Sequence, residues 1–389
     1  STGTRVNEDY LIEDVPYNAI NFSEDFTQWS LNGDSVVLQD ETYLGRPIYK
    51  LTEASSSTLG VHQTRTGNMA GSPYTISLIA KKDTSSFIRL RFGSPINKNV
   101  DFNLETGVVT SESSGVTGAI QNIGNGFYQL SSVLASLTNA TISYAIYTSN
   151  GSVFITSAQM VKGDKLKDYL KTTDRLDIPR IDYTNGEPSI LLEPQSTNLV
   201  TYSEALTTYW TLQGVSLIAD NTAINPTGNT FANKINSLTT GTFKSINRLE
   251  TSAWDSKTLT MSCFAKKITN DYIFFYNIGS VSGTNGLWFN ISNGSIGTNG
   301  AAWSNAKIEN YGNGWYRCSA KITFGTSDNY LYISNSDGDN NKSSTVGSQT
   351  YIWGTQIEER SYATSYIPTS GSAVTRSADV ANNAGNSDL

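Results

Sequence analysis

Histidine, cysteine, methionine, proline and basic residues are all scarce in this chain of 389 residues. A single histidine, His62, argues against a histidine-based metal or acid/base site. The net charge of -7 argues against nucleic acid as a partner, because phosphate binding needs clustered Lys and Arg. No run of about 18 apolar residues occurs, so no membrane-spanning segment is expected. A neutral or weakly charged partner fits this composition.

The chain contains an internal repeat. Its two halves share three motifs, spaced by 180 to 188 residues: Ile120–Tyr128 with Ile308–Tyr316, Ser77–Lys82 with Ser262–Lys267, and Asn21–Glu24 with Thr201–Glu204. Two homologous modules in tandem are therefore predicted. Positions that are apolar in both copies are expected in the core, whereas aromatic residues found in one copy alone need another explanation.

Short segments with period-two alternation dominate both modules, as in Tyr74–Ala80 and Phe87–Phe92. Turn signals such as Asn125-Gly126 separate these segments. Alternation with β-branched and aromatic residues is typical of half-buried strands. The sequence thus predicts an all-β chain of two tandem β-sandwich domains, with a jelly-roll architecture of the concanavalin A-like or galactose-binding-like kind.

The domain boundaries follow from the repeat and from the positions of Pro. No secretory leader pattern occurs at the start, and Ser1–Arg5 reads as part of a longer polypeptide. The predicted parts are an N-terminal linker (1–17), a first module (18–171), a Pro-bounded connector (172–196), a second module (197–369) and a C-terminal linker (370–389).

Two cysteines also fall under the repeat. Cys263 and Cys318 align with Leu78 and Leu130 of the first copy. A position that accepts Leu is a core position, and a free Cys packs as a small hydrophobe. This alignment favours buried free thiols over a disulfide.

Three groups of motifs carry a family resemblance: Thr4–Asp9, Leu191–Leu199, and Gln356–Glu359 leading to Tyr362–Thr369. They resemble segments that recur in bacteriophage tail and virion-surface proteins, around jelly-roll modules similar to carbohydrate-binding modules of the family 4/9 and 22 type. The resemblance covers nearly the whole chain. It implies non-catalytic polysaccharide binding at a virion or extracellular surface, by a fragment of a longer protein such as a tail fibre. The first module departs from the pattern where Lys165–Leu170 replaces the small-residue and Pro signature.

The same resemblance implies a structural calcium ion between the first and last strands, as related jelly rolls often hold one. Glu24, Asp25 and Glu204 stand at suitable early positions as hard oxygen ligands. The closing-strand Asp that is usual in those families is missing here. No other cofactor is expected.

Alignment of the two copies identifies a surface on which they differ. Arg89 and Arg91 are expected to point outward, because unpaired buried charge is costly and strand side chains alternate between faces. Their counterparts in the second module are Phe274 and Tyr276, flanked by Tyr272. The second module therefore carries aromatic side chains where the first carries charge.

Further aromatic residues extend this difference. Trp288 stands opposite about Asp101, Trp353 opposite Thr156, and Tyr330 and Tyr332 opposite Ala145 and Tyr147, while Trp254 and Trp303 lie in loop-like surroundings. Outward Trp and Tyr suit glycans, because sugar rings stack on aromatic rings while Asn and Gln bond the hydroxyls. The predicted carbohydrate-binding residues are Trp288, Trp353, Tyr272, Phe274, Tyr276, Tyr330, Tyr332, Trp303, Trp254, Asn290, Gln356, Arg89, Arg91 and Tyr147.

Three alternatives stay open at this point. Arg89, Arg91 and Tyr147 of the first module form either a site for an acidic sugar or a solvated sheet face, and the second interpretation is favoured. A polysaccharide lyase or glycoside hydrolase would need paired carboxylates, for which Glu358 with Glu359, or Asp182 with Glu187, are unspecific candidates. In a purely structural protein, a neighbouring virion component or a second copy in a homo-oligomer would cover the aromatic face.

Overall fold

The structure is a computed structural model that describes residues 3–15, 17–54, 60–66, 73–136, 141–174, 180–242, 244–250, 253–278, 286–326 and 329–379. The chain forms two compact units. One is Pro16–Ile178, called the first module from here on. The other, the second module, combines Ser1–Val15 with Pro179–Leu389. Within the described residues, no helix is long and apolar enough to cross a membrane.

The strands are short and follow one another closely along the chain. The N-terminal hairpin consists of β1 (Thr4–Val6) and β2 (Ile12–Asp14). The first module contains a 3-10 helix (Phe26–Gln28) and β3 (Ser35–Tyr43), β4 (Arg46–Thr52), β5 (Val61–Thr66), β6 (Tyr74–Lys82), β7 (Phe87–Phe92), β8 (Lys98–Asn103), β9 (Val108–Glu112), β10 (Val116–Gly124), β11 (Phe127–Leu134), β12 (Thr141–Thr148) and β13 (Ser152–Lys162).

The rest of the chain adds a short hairpin and a second set of strands. The hairpin is β14 (Ile181–Asp182) with β15 (Ser189–Ile190). A second 3-10 helix (Leu206–Thr208) accompanies β16 (Ser196–Asn198), β17 (Thr211–Gln213), β18 (Val215–Ile224), β19 (Thr230–Ser237), β20 (Gly241–Thr242), β21 (Ser245–Glu250), β22 (Thr258–Lys267), β23 (Tyr272–Ile278), β24 (Gly286–Asn290), β25 (Ser295–Asn299), β26 (Trp303–Asn310), β27 (Trp315–Thr323), β28 (Asn329–Ser336), β29 (Ser343–Ser344), β30 (Gln349–Glu358) and β31 (Val374–Arg376).

Each module is a sandwich of two antiparallel sheets with matching strand order. In the first module the sheets run β10-β11-β6-β13-β4-β3 and β5-β12-β7-β8-β9. In the second they run β26-β27-β22-β30-β19-β18 and β17-β21-β28-β23-β24-β25. The all-β prediction and the two tandem β-sandwiches are thereby confirmed.

The predicted hairpin turns also form. Asn125 and Gly126 have φ angles of 53° and 77°, and Asn313 and Gly314 have 50° and 79°. Two consecutive residues with positive φ define the tight turn that matches the twist of an antiparallel pair. The two turns connect β10 to β11 and β26 to β27, so the repeated motif reflects backbone geometry.

Each sandwich encloses its own apolar core. Alternate side chains of facing strands fill it, for example Ile88 and Leu90 in the first module and Ile273 and Phe275 in the second. Cys263 and Cys318 face each other across β22 and β27, fully buried and unbonded, as the alignment with leucines predicts. Burial raises the pKa of the Cys263 thiol well above its ordinary value, so it stays protonated.

Each module contains a hydrogen-bonded cluster of the same kind, which joins an early Ser to residues near the end of the module. The hydroxyls of Ser23 and Tyr169 lie 2.8 Å apart, and the Thr172 amide donates to Ser23 over 2.8 Å. In the second module the corresponding group is formed by Ser203, Tyr366 and Thr369, with distances of 2.7 and 2.9 Å. Lys165–Leu170 of the first module differs in sequence from the family motif, but the hydrogen bonds among Ser23, Tyr169 and Thr172 match those of the second module.

The N-terminal segment differs from its prediction as a linker. Residues 4–14 form the β1–β2 hairpin within the second module, where Val6 and Ile12 join a buried cluster with Trp315 and Trp353. The amide of Val6 donates to Asp182 over 2.9 Å. Burial of Val6 and Ile12 against these aromatic side chains stabilises the packing of the hairpin on the second module.

Candidate functional site

The two outer faces of the second module carry different groups of aromatic side chains. On the sheet β17-β21-β28-β23-β24-β25, cross-strand pairing places Phe274 opposite Trp288 and Tyr276 opposite Tyr332. Since Ile273 and Phe275 fill the core, their alternating neighbours point away from it. The predicted residues Tyr272, Phe274, Tyr276, Trp288, Asn290, Tyr330 and Tyr332 therefore share one face.

Part of this face is covered. Phe274 and Trp288 stack with ring centroids 5.2 Å apart, and neither side chain is exposed. The Trp288 indole N–H donates to the carbonyl of Asn341 over 2.8 Å. A Cβ at Gly286 would lie 2.3 Å from the Trp288 ring, so the indole needs glycine beneath it. Trp288 and Phe274 are thus packing residues under the loop 337–342, which corrects their prediction as exposed glycan contacts.

Two aspartates hold that loop in place. Asp337 accepts hydrogen bonds from the amide and hydroxyl of Thr345, over 3.1 and 2.8 Å. Asp339 accepts from the amide and hydroxyl of Thr298, over 2.7 and 3.0 Å. The loop between β28 and β29 is therefore tied at both sides of Trp288.

Outside the covered part of this face lies a cluster of three tyrosines, Tyr276, Tyr330 and Tyr332, called the tyrosine face from here on. Tyr330 and Tyr332 stack with centroids 5.8 Å apart, and Tyr276 packs edge-on against Tyr332 at 5.9 Å. Tyr276 and Tyr330 are half-buried, whereas Tyr332 is 7% exposed. Burial, with the nearby Tyr330 and Tyr276, raises the pKa of Tyr332. The Tyr332 phenol therefore stays neutral at pH 7 and able to donate a hydrogen bond.

Polar groups border the tyrosine face. Asn247 stands directly across from Tyr332 on the neighbouring strand. The Lys342 ammonium lies 4.7 Å from the centre of the Tyr276 ring. Flat rings with an amide and a cation at their edges are the combination that recognises sugar rings and their hydroxyls.

Tyr272 and Asn290 share a ladder position at the far end of the same face. The Asn290 side chain accepts hydrogen bonds from the amides of Ser292 and Asn293, so it caps the turn after β24. Tyr272 lines a separate cavity of about 340 Å³ beside Asp337. The structure places neither residue with the three clustered tyrosines.

Trp353 and Gln356 lie on the opposite sheet of the second module, and both are fully buried. Trp353 packs among Phe264 and Tyr366 beneath the N-terminal hairpin. Gln356 accepts from the amide of Ile367 over 2.7 Å. Both predictions as surface glycan contacts are wrong, because chain segments from both ends of the module cover this sheet.

Trp254 and Trp303 belong to the core between the sheets, with 3% and 4% of their surface exposed. Trp254 stacks on Phe324 at 5.7 Å, and Trp303 packs against Phe275 at 5.9 Å. Their Gly- and Asn-rich surroundings suggested loops, but the two indoles fill the sandwich. They too are removed from the candidate glycan contacts.

The register also corrects the alignment of β28 with β12. Tyr332 pairs with Tyr276, and Ala145 pairs with Arg91, so Tyr332 replaces Ala145. By the same count, Tyr330 replaces Ser143. Tyr330 and Tyr332 thus stand where the first module has small residues, and Tyr276 stands where it has Arg91.

The matching face of the first module brings Arg89, Arg91 and Tyr147 together. Arg89 forms a bidentate pair with Asp101, with N···O distances of 2.5 and 2.8 Å. Arg91 donates to the Tyr147 hydroxyl over 3.3 Å and to Asn97 over 2.7 Å. Because Asp101 neutralises Arg89, this face has less free positive charge than the sequence suggested. An acidic-sugar site there stays a prediction.

The carboxylates expected for calcium have protein partners. Glu24 lies 2.9 Å from Lys171 and 3.9 Å from Arg46. Asp25 caps the first 3-10 helix through the Thr27 amide at 3.1 Å. Among the residues that the structure describes, no group of three His, Cys, Asp or Glu side chains could hold a metal ion. A calcium ion at Glu24, Asp25 or Glu204 stays a prediction.

The carboxylate pairs considered for catalysis are structural as well. Glu358 is fully buried and accepts from Ser196 over 2.6 Å, Gln356 over 2.7 Å and the Thr364 amide over 3.0 Å. Asp182 accepts from the amides of Val6 and Thr184. The oxygens of both groups are engaged in this way; Glu358 is closed off from solvent, whereas Asp182 lines a cavity of about 220 Å³.

Sequence reasoning missed a buried ionic network. Arg180 lies 2.7 Å from Glu193 and also pairs with Asp379, while Arg376 lies 3.4 Å from Glu193 and 3.6 Å from Asp379. Both arginine side chains are at most 1% exposed. The motifs that carry the family resemblance contain Glu193 and its neighbours, so they mark part of this network. These motifs lie near the start of the chain, in the connector and near its end, and this distribution was the sequence signal that the three segments pack together.

No family model and no curated protein matches the chain. Among solved structures, the N-terminal CBM22-1-CBM22-2 tandem domain of Xyn10C from Paenibacillus barcinonensis is similar, with 11% identity, a TM-score of 0.30, and coverage of 88% of this chain and 96% of that one. A second structure, described as one of carbohydrate-binding modules from the β-sandwich superfamily with promiscuous specificity, has 12% identity, a TM-score of 0.21, and coverage of 74% and 98%. With TM-scores this low, the fold description rests on the strands of this chain.

Proposed function

We propose that the second module binds a carbohydrate chain, without catalysis, on the tyrosine face. The observation that supports this proposal is the continuous cluster of Tyr276, Tyr332 and Tyr330, of which the outer two are half-exposed. The pyranose C–H face packs on such rings, and the phenol hydroxyls and Asn247 supply directional hydrogen bonds.

The tyrosine face is prepared for binding before a ligand arrives. The Tyr276 ring lies 6.5 Å from Phe274, which in turn stacks on Trp288 under the loop 337–342. Side chains that are already fixed lose little conformational entropy on binding. The buried aromatic pair therefore supports the site without contacting the sugar.

The experiment is glycan-array or affinity-gel retention of the full chain, comparing Tyr330→Ala and Tyr276→Ala with the parent. We expect each variant to lose about 3- to 10-fold in affinity, because one aromatic contact contributes about 0.5–1.5 kcal/mol. Tyr362→Ala is the matched control, since Tyr362 is 47% exposed elsewhere on the module. Equal retention of all four proteins would remove the tyrosine face as the site.

A protein interface is the alternative use of the same face, since Ile278, adjacent to Tyr330, is 45% exposed. Mass measurement in solution separates the two. If Tyr330→Ala converts an oligomer to a monomer and leaves glycan retention unchanged, the face is an interface.

The setting of this activity stays a prediction from the sequence resemblance. It places the chain in a phage tail fibre or on a virion surface, outside the cell, attached to host or extracellular glycans. Single shallow sites bind weakly, so repetition over modules and subunits would raise the affinity through effective concentration. Incubation with candidate polysaccharides is expected to yield no new reducing ends or unsaturated products.

A further inference from the structure

We infer that a cavity on the opposite sheet of the second module, with Arg317 at its base, binds a small carboxylate of about the size of one acidic sugar. The cavity has a volume of about 220 Å³. Since a water molecule occupies about 30 Å³, it has room for a molecule of several heavy atoms. This site is separate from the tyrosine face and does not depend on the proposed function.

The position of Arg317 follows from the strand ladder. On β27 it stands opposite Phe264 on one side and Glu309 on the other. Its neighbours Cys318 and Tyr316 alternate with it, and Cys318 lies in the core. Arg317 therefore points to the outer surface of this sheet, where the N-terminal hairpin and residues 363–366 form the walls of the cavity.

Arg317 is buried, 4% exposed, and incompletely paired. One guanidinium nitrogen donates to the Ser262 hydroxyl over 3.1 Å, and the group lies 5.4 Å from the Phe264 ring. Its Nε has no hydrogen-bond partner, and no carboxylate lies within 4.0 Å of it among the residues that the structure describes. A buried guanidinium with an open donor is the natural partner of a carboxylate.

The other charges around the cavity already have partners. Arg5 pairs with Glu13 at 2.8 Å, and Lys307 pairs with Glu309 at 2.7 Å. Glu193 belongs to the Arg180 network, and Asp182, a further carboxylate of the cavity wall, accepts from the amides of Val6 and Thr184. Arg317 is thus the cation in this cavity wall that lacks such a close pair.

The guanidinium is charged and the cavity opens to solvent. Burial lowers the pKa of Arg317, but Tyr311, Glu358 and Glu309 outweigh burial and raise the pKa overall. At the mouth, Asn185 is exposed and the Lys307 side chain is 67% exposed. A ligand can enter past Lys307, place its carboxylate on Arg317 and its hydroxyls against Thr364 and Ser365.

The test is isothermal titration calorimetry of the full chain with sodium glucuronate, with glucose as the neutral comparison and sodium chloride at equal ionic strength. We expect binding of glucuronate near one per chain, competed by acetate, and none of glucose. Arg317→Gln should lose at least tenfold in affinity. Gln is the residue at the matching position 129 of the first module, which favours folding of the variant.

One further variant locates the site. Arg65→Gln removes an arginine of the first module that donates to Asn21 over 3.5 Å, and it should leave glucuronate binding unchanged. The inference is overturned if the parent gives no heat with glucuronate, if glucose binds equally, or if Arg317→Gln, folded by circular dichroism, binds as the parent does. Should Arg317→Gln fail to fold, loss of binding in Arg65→Gln would still overturn it.

Discussion

The same ladder position holds different chemistry in the two modules. In the first module, β7 and β8 present the ion pair of Arg89 and Asp101. In the second, β23 and β24 present the stacked rings of Phe274 and Trp288. The connection after the neighbouring strand of the same sheet also differs in length. In the first module residues 149–151 connect β12 to β13, whereas in the second residues 337–348 connect β28 to β30.

The aromatic pair of the second module and its longer loop are structurally related. A long loop that lies across a sheet needs an apolar surface to pack on and aspartates to hold its backbone, and the second module supplies both. A short turn leaves the sheet face open to water, where an ion pair is stable. An excess of aromatic residues in one copy therefore has two sources, a covered packing surface and an open tyrosine face.

The largest expected effect comes from removing the packed indole. Trp288→Ala should lower the free energy of unfolding by about 3–5 kcal/mol, because it leaves a cavity under the loop 337–342. Asp101→Ala, at the matching position of the first module, should cost about 1 kcal/mol, because that pair is partly exposed. Denaturant unfolding of both variants measures the difference. Similar costs for the two would show that the loop does not seal Trp288.

A second contrast concerns a buried ionic network and a more exposed ion pair of the second module. Glu193→Ala should cost about 3 kcal/mol, because it leaves the buried Arg180 and Arg376 with Asp379 alone. Glu13→Ala breaks the corresponding pair with Arg5 in the N-terminal hairpin, where the side chains are 18% and 34% exposed. We expect a cost of at most about 1 kcal/mol there. Thermal unfolding by calorimetry compares the two, and an equal loss would mean that burial does not set their strength.

The smallest effect is a pH dependence that comes from one carboxyl group, Glu204. Burial raises the pKa of Glu204 above its ordinary value of 4.5, although the Tyr366 hydroxyl at 3.1 Å lowers it in part. The folded module thus holds a proton that the unfolded chain releases, and stability falls as pH rises through the window that begins at 4.5.

Glu204→Gln should remove this decline, so that the variant gains stability relative to the parent at pH 7 compared with pH 4. Urea unfolding at both pH values measures the gain. Glu24→Gln changes the equivalent residue of the first module, which pairs with Lys171, and provides the comparison. If Glu204→Gln shows the same pH dependence as the parent, ionisation of Glu204 is not its source.

Alternation and the internal repeat predicted most of the fold. They placed Ile88, Leu90, Ile273 and Phe275 in the cores, and they predicted that Cys263 is buried. These predictions succeed because a half-buried strand alternates apolar and polar residues, and because core positions stay apolar in both copies. The same alternation correctly assigned Tyr276 to an outer face.

The errors have a common physical cause. Alternation tells whether a side chain points away from the core, but a sandwich has two outer faces, and Trp353 lies on the other one. Burial by distant segments leaves no local pattern either, as Trp288 shows under Asn341. The sequence identifies Tyr330 and Tyr332 as surface residues but aligns them two residues away from their counterparts in β12, because turn lengths differ between the copies.

The hairpin that packs on Trp315 and Trp353 gives the second module a discontinuous sequence. Its residues 4–14 are separated from the rest of the module by the whole first module, Pro16–Ile178. During synthesis, Val6 and Ile12 therefore leave the ribosome long before the surface that they cover exists, while the first module can fold as soon as its own strands are complete. A fragment that begins at residue 180 would contain every strand of the second sandwich and still expose the aromatic surface that this hairpin shields.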